Sequence, residues 1–368
     1  MKIRIITCHD VYNYGASLQA LALQTYLERQ GNDVRIIDYR PGKRYDIWAI
    51  SPKSRLYKVS KYFFPIKLCL AIKKYFQFRP TFGRIDAFKS FNKKYLKLSK
   101  HYNNFSELAI DPPEADMYIA GSDQIWSTYL NNGSDPAFYC CFGNLATKRI
   151  SYAASFGFPQ IFKGLDVLVA NYIKGLDAVS VREKTGFNLL REMGIESTRV
   201  LDPVFLLNNL EWISLLDIKE SAIKTKYILV YDIFHSDERL KNRCLCLAKK
   251  YNLKIVAVND KTLTKYADIN INNAGPREFV ELISNAEYVV ADSFHATVFS
   301  ILFEKQFYIY YKKDNISRIS DILSDLGMEE RLNSEKELPT INWQKHVFVL
   351  EKEINVSKDF LLHQLKND

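Results

Sequence analysis

The sequence predicts an α/β protein of two domains, each a parallel sheet flanked by helices, facing each other across a cleft. Three observations carry this expectation. At 368 residues the chain is long for one domain. Short apolar runs alternate with helix-period stretches in two separate series. A polar, lysine-bearing stretch over residues 208–226 divides the two series. The expected boundaries are an N-terminal domain 1–207 with a basic insert 40–100, a C-terminal domain 208–340, and a terminal helical segment 341–368.

In the first series, residues 2–7 form an apolar strand. His9 to Gln19 is a polar turn opening a helix that runs to about Arg29, with Leu18, Leu21, Ala22, Tyr26 and Leu27 at helical spacing. Gly31-Asn32 ends that helix, and Val34 to Tyr39 is the second strand. This is a βαβ opening of the dinucleotide type, but the G-x-G-x-x-G pattern is missing. A lone Gly15 permits close backbone approach without specifying a ligand. The insert breaks the rhythm with two expected helices, near 54–77 and 81–95, separated by Arg79-Pro80.

The rhythm returns at Met117 to Ala120, a strand running into Gly121-Ser122-Asp123-Gln124-Ile125-Trp126. A glycine and three polar side chains closed by a tryptophan have the form of a small carbohydrate platform; an ordinary Asx turn is the alternative. Arg149 to Gly157 is another strand ending in small polar residues, among them Ser155. A helix near 163–174 and a strand over 178–181 follow, the latter leading to Arg182-Glu183-Lys184. Arg182 at a strand's carboxyl end suits an anion; the alternative is an arginine paired with Glu183. The α/β rule places the loops near Asn13, Asp123, Ser155 and Arg182 on one rim of one sheet. Val200 to Leu207 closes the first half.

In the second series, strands are expected near 227–232, 254–258, 287–291 and 306–311, and helices near 236–251, 276–286, 294–304 and 316–327. Gly275-Pro276 opens the second of these helices with proline in its first turn. The chain is organised around Tyr288 to Ser300, a buried strand, a short corner and a helix apolar nearly all round. Asp292 or Ser293 is the expected N-cap, because either side chain can accept from an unpaired N–H of the first turn. His295 then lies in that first turn, where free N–H groups and the helix dipole favour an anion. The alternative is a capped core helix with a satisfied histidine. Lys312, Lys313 and Arg318 lie near the same rim. The final helix, about 343–366, is amphipathic and is expected to pack back across the first domain.

Composition removes several classes of protein. Apolar residues make up 47% and charged residues 25%, the balance of a globular chain. No apolar run reaches membrane-spanning length, and the N-terminus reads as a first strand rather than a signal peptide. Six cysteines without a C-x-x-C pair or zinc spacing read as reduced thiols of a cytoplasmic protein, and no metal site is expected. The net charge of +9 is uneven: residues 40–100 hold 17 Lys or Arg against Asp46 and Asp86, a local +15 that leaves −6 elsewhere. That basic, aromatic block suits an anionic membrane surface or a lipid-linked diphosphate. The alternatives are nucleic acid or a solvated helical pair; no nucleic-acid partner is expected.

Seven segments together resemble the polysaccharide pyruvyl transferase family: Asn13-Tyr14-Gly15-Ala16-Ser17-Leu18-Gln19, Gly121 to Trp126, Ser151 to Gly157, Val181 to Lys184, Leu201-Asp202-Pro203-Val204, Gly275 to Phe279, and Asp292-Ser293-Phe294-His295. The resemblance spans roughly residues 3–330. It implies a GT-B-like architecture of two Rossmann-like domains. The activity it implies is transfer of the enolpyruvyl unit of phosphoenolpyruvate onto two hydroxyls of a sugar. The product is a cyclic pyruvate ketal in bacterial capsule, exopolysaccharide or cell-wall glycan, and phosphate is released. No redox cofactor or metal is implied. The acceptor is expected to be a sugar, lipid-linked in one form of the reading, with the protein peripheral at the inner membrane face.

Phosphoenolpyruvate carries a phosphate and a carboxylate, so it calls for cationic or N–H-rich pockets. Its C3 must gain a proton and the sugar hydroxyl must lose one. His295 suits either role near neutral pH. Arg182 is similar to the family's arginine that grips the donor. Family members often carry an arginine two positions before the histidine, where this chain has Ser293, beside Phe294; Arg277, Lys312 or Arg318 is then expected to supply the missing charge. Asp123, as a second catalytic residue, with Gln124 and Trp126 forms the expected acceptor side, completed by Asn13, Tyr14, Gly15, Ser122 and Ser155. The competing expectation on the same architecture is a glycosyltransferase using a nucleotide-sugar, against which the absence of a D-x-D motif counts.

Overall fold

The computed structural model describes residues 1–42, 83–220, 222–235, 237–260, 262–311 and 317–366. Most of the basic insert, the helix expected at 54–77, Cys69, Lys312 and Lys313 lie outside the described residues.

The first sheet is formed by β1 (Lys2–Ile6), β2 (Asp33–Tyr39), β3 (Leu98–Tyr102), β4 (Met117–Ala120) and β5 (Lys148–Ser151) in the order β3-β2-β1-β4-β5. All pairings are parallel. β1 and β4 are buried along nearly their whole length, as expected where helices cover both faces of a parallel sheet. Helix α1 (Tyr14–Arg29) crosses from β1 to β2. A helix over residues 83–95, α2, precedes β3, and α3 (Phe105–Ile110) follows it. The half-exposed Leu98-Ser-Lys-His-Tyr run of β3 carries no apolar signal; it is a strand because it pairs with β2.

Beyond β5, α4 (Asp166–Ile173) leads to β6 (Ser180–Val181), α5 (Lys184–Glu192) and β7 (Thr198–Arg199). The strand expected over 178–181 shortens to a two-residue ladder with β7, tied to the first sheet through the bridges Ile150 to Ala178 and Ala154 to Val181. After a 3-10 turn at Pro203–Leu206, α6 (Asn209–Leu216) carries the chain to the second domain.

There β8 (Tyr227–Tyr231), β9 (Lys254–Val258), β10 (Ile269–Ile271), β11 (Tyr288–Ala291) and β12 (Gln306–Ile309) form a second parallel sheet in the order β10-β9-β8-β11-β12. Read from its own first strand, this order matches that of the first sheet. The interleaved helices are α7 (Glu238–Tyr251), α8 (Pro276–Ser284), α9 (Phe294–Leu302) and α10 (Ser317–Asp325). Each sheet has a switch point where its connections diverge, between β1 and β4 and between β8 and β11. In such sheets the crevice beyond the carboxyl ends at that point is the natural ligand site.

The main apolar core is continuous through both domains, running from Ile5 and Leu18 through Phe205 and Trp212 to Phe299 and Val289. All nine residues of α9 are buried, and each buried Val, Ile, Leu or Phe contributes roughly 1.5–3 kcal/mol. Tyr14 stacks on Phe279 of α8 at 4.3 Å with parallel rings, and its hydroxyl donates to the Ala274 carbonyl at 3.0 Å. The last helix, α11 (Gln344–Leu365), lies against the first domain: Ser357 Oγ accepts from the Leu201 N–H, and Lys148 donates to the Gln364 carbonyl. Among the described residues no helix is long and apolar enough to cross a membrane.

Candidate active site

Two helix N-termini converge at the cleft. Asn13 caps α1 by accepting from the Ala16 N–H at 3.2 Å. Ser293, rather than Asp292, caps α9, accepting from Ala296 at 3.4 Å. Both ends carry unpaired N–H groups and the positive pole of a helix dipole. The His295 ring, in the first turn of α9, packs flat on Gly15 in the first turn of α1. A Cβ at position 15 would fall inside the imidazole, against Nδ1, Cε1 and Cγ. Gly15 is therefore required by contact rather than by backbone conformation.

Behind the histidine lies a buried charge network. Arg182 Nη1 donates to Asp202 Oδ2 at 2.5 Å, and the same oxygen is 3.3 Å from Ser122 Oγ and 3.5 Å from His295 Nε2. At 3.5 Å the histidine contact has ion-pair length, longer than a formed hydrogen bond. Burial works to raise the Asp202 pKa; the histidine contact and the Arg182 charge outweigh it and hold the carboxylate ionised far below its usual range. Burial likewise opposes the Arg182 charge, and Asp202 and Glu183 overcome it. Arg182 Nε and Nη2 have no hydrogen-bond partner among the described residues, and Nη2 is 3.6 Å from Glu183.

A second guanidinium completes the set. Arg182 sits 4.6 Å from the Phe294 ring centroid and Arg318, from α10, sits 5.8 Å from it. With its carboxamide oxygen turned toward Arg318, Gln124 accepts from both terminal nitrogens at 2.7 and 3.0 Å. No carboxylate pairs with Arg318 among the described residues, and its Nε has no partner. Burial first, then the like charge of Arg182, lowers its pKa, the signature of a cation short of counter-charge.

These groups surround a cleft of about 540 Å³. Of the residues singled out in the sequence, Asn13, Asp123, Gln124, Ser293, Phe294, His295 and Arg318 line it. Asp123 adopts a left-handed backbone, φ 77°, held by its carbonyl accepting from the Ile125 and Ser155 N–H groups. Such strain is common at functional sites. Arg182 and Ser122 lie in the layer beneath, and Gly15 underlies the histidine.

Other expectations are corrected. Trp126 is fully buried, stacked on Tyr139 at 5.4 Å with its N–H donating to the Phe138 carbonyl, so it offers no face to a sugar. Tyr129, 46% exposed and packed 4.4 Å from Phe158, is an aromatic side chain on the cleft rim. Tyr14 belongs to the seam between domains; burial raises its hydroxyl to about 12, leaving a neutral donor. Ser155 is fully buried and donates to Glu183. Arg277 is tied to the Leu216 and Asp217 carbonyls and to Glu281, away from the cleft. Lys312 lies outside the described residues.

Sequence reasoning missed Asp202 as a site residue. Its signal was a carboxylate inside the apolar run Val200 to Leu207, which has to be paired to be buried. It also read Asp292 only as a cap. Asp292 lines the cleft, and its carboxyl oxygens accept from the backbone N–H groups of Ile233 and Phe234 at 2.8–3.0 Å.

Comparison with known proteins bears on the fold and on the family. The UDP-GlcNAc 2-epimerase of Neisseria meningitidis bound to UDP-GlcNAc superposes with a TM-score of 0.50 at 12% identity, over 100% of both chains. The UDP-GlcNAc 2-epimerase of Methanocaldococcus jannaschii gives 0.49 at 15% identity over 96% of this chain and 93% of that one. The E. coli heptosyltransferase WaaC with ADP gives 0.42 at 10% identity, over 96% and 100%. At 12% identity the first of these speaks to fold alone, and the fold is GT-B-like. No curated protein matches the chain closely enough to count as a relative. The profile of the polysaccharide pyruvyl transferases matches residues 13–312, most of the chain, and takes in the capped turn at Asn13, the Arg182–Asp202 pair and His295. The chain belongs to the polysaccharide pyruvyl transferase family.

Proposed function

We propose that this enzyme transfers the pyruvyl unit of phosphoenolpyruvate onto two hydroxyls of a sugar in bacterial surface-polysaccharide synthesis, forming a cyclic ketal and releasing phosphate. The observation that carries the reading is Arg318, a cation in the cleft without a carboxylate partner among the described residues, set beside His295 and two helix N-termini. A trianionic donor fits that surplus of positive potential.

In this reading Arg318 takes the place of the arginine that other family members carry at position 293. Its planar fork grips the phosphate or carboxylate, Ser293 and the α9 N–H groups add uncharged donors, and Arg182 supplies positive potential from one layer deeper. His295 takes the proton of an attacking hydroxyl, and Asp202, 3.5 Å from Nε2, stabilises the imidazolium. Asp123 and Gln124 hold the acceptor's hydroxyls while Tyr129 stacks on its ring. The basic segment 40–100, largely outside the described residues, brings the enzyme to an anionic membrane surface carrying lipid-linked acceptor.

The test is phosphate release from phosphoenolpyruvate with galactose-, glucose- and mannose-containing lipid-linked acceptors, comparing wild type with His295→Ala. Acceptor-dependent release by wild type alone is expected. Failure of phosphoenolpyruvate to bind, with saturable binding of a nucleoside diphosphate instead, would overturn the reading.

A further inference from the structure

The reaction above leaves one group of the cleft wall without a role. The parallel register that pairs Tyr231 with Ala291 carries the next residue of each strand, Asp232 and Asp292, to adjacent positions just beyond the second sheet. This is its switch point. The two residues are 8% and 4% exposed, and two buried carboxyl groups side by side raise each other's cost of ionisation. Like charges buried this close cannot both ionise freely, so the pair favours holding one proton. Asp292 also staples the loop that follows β8 and Asp232 through the Ile233 and Phe234 N–H groups, and an ionised carboxylate would serve that purpose without Asp232. The same cleft holds an independent sign of proton chemistry. His295 is more than nine-tenths buried and lines the cleft, with the Asp202 carboxylate 3.5 Å from its Nε2 and no closer hydrogen bond to that nitrogen.

We propose that Asp292, on the cleft wall beside the buried Asp232, is the acid that delivers a proton to C3 of phosphoenolpyruvate, and that Asp232 is the positioning residue whose neighbouring charge keeps that proton in place. The assignment rests on the pyruvyl-transfer reading and divides the two proton roles between two residues. The Asp292 O–H bond breaks and a C3–H bond forms, using the electron pair of the C2–C3 double bond. C2, now electron-poor, bonds to the first hydroxyl oxygen, whose proton passes to His295. The C2–O bond to phosphate breaks, phosphate leaving with the electron pair, and the second hydroxyl oxygen bonds to C2. Of the two hydroxyl protons, one leaves on hydrogen phosphate and the other restores Asp292. Nothing is oxidised or reduced.

The surroundings favour the neutral acid. Burial first, then the facing Asp232, raises Asp292 to about 7 against the two backbone N–H groups that pull it down. Tyr231 on β8, Tyr266 before β10 and Tyr311 after β12 also face it, and Arg318 stands beyond Tyr311. His235 Nδ1 is 3.8 Å from the Asp232 carboxylate.

The experiment compares wild type, Asp292→Asn and Asp232→Asn in phosphate release across pH, with 13C NMR of carboxyl-labelled aspartate in each. Asp292→Asn is expected to lose about 100- to 10,000-fold in kcat with little change in the KM for phosphoenolpyruvate. Asp232→Asn is expected to keep turning over while the alkaline fall of its rate profile moves to lower pH, because an amide donor stabilises charged Asp292. Wild type is expected to show one carboxyl resonance titrating near neutrality that disappears in Asp292→Asn. A folded Asp292→Asn enzyme with the wild-type rate and profile would overturn the assignment and leave pyruvyl transfer intact. The lack of a near-neutral carboxyl in wild type would do the same. Wild type that releases no phosphate with any acceptor would remove both.

Discussion

The imidazole of His295 occupies the space in which residue 15 would carry a Cβ. One residue from each domain thus meets at the centre of the cleft, and the histidine's position depends on the absence of a side chain across the seam. Gly15→Ala is expected to displace the ring, since it would have to yield to the new methyl. The loss in kcat should be on the order of 100-fold, the scale of a misplacement of about 1 Å. Steady-state kinetics with circular dichroism checks this, and an unaltered kcat in a folded variant would refute it.

Arg318 and Ser293 make a charge-relocation test. Arg318→Ala is expected to raise the KM for phosphoenolpyruvate by about 10- to 100-fold, equivalent to roughly 1.5–3 kcal/mol for a charge-assisted contact. Arg318→Lys should recover only part of it, because an ammonium lacks the fork. Adding Ser293→Arg to Arg318→Ala should restore donor binding, measured by calorimetry. No recovery would show that the two positions do not face a common anion.

Tyr129 and Trp126, three residues apart, should fail differently. Tyr129→Ala is expected to raise the acceptor KM about five- to tenfold and leave the melting temperature unchanged, a stacking loss of about 1 kcal/mol. Trp126→Ala empties a fully buried site and should cost about 3–5 kcal/mol of stability. Thermal melts beside acceptor titrations separate the two.

Asp292 also marks the stability profile. Its folded pKa of about 7 lies above the unfolded value near 4, so between those limits the folded state holds the extra proton. Stability therefore falls as pH rises through that window. Asp292→Asn removes the penalty and should melt higher than wild type at pH 8, with the advantage fading toward pH 4. A constant offset across this range would contradict the shift.

The sequence was most legible where local pattern and tertiary burial agree. The strands β4 and β8, fully buried, and β9 and β11, buried but for their first residue, announce themselves as apolar runs, and α9 carries its cap and its histidine in one contiguous stretch. The site was less legible because its members come from distant places in the chain. Nothing local in Asp202 says that it backs His295, 93 residues later in the sequence. Arg318 and Arg277 read alike as cations near a rim, and only packing sends one into the cleft and the other to the Leu216 and Asp217 carbonyls. Trp126 carried the chemistry of a sugar platform and the burial of a core residue, and burial decided. β3 and β10 are edge strands made by their neighbours more than by their own residues.

The apolar core passes without interruption from one sheet to the other. Such a chain behaves as one folding unit despite its two sheets. Heat or urea should melt it in a single transition, and severing it within 208–220 should yield two fragments that are insoluble apart and active only when refolded together. A substitution in the cleft therefore bears on the cohesion of the whole protein, since the residues that line the cleft border those that keep the halves joined.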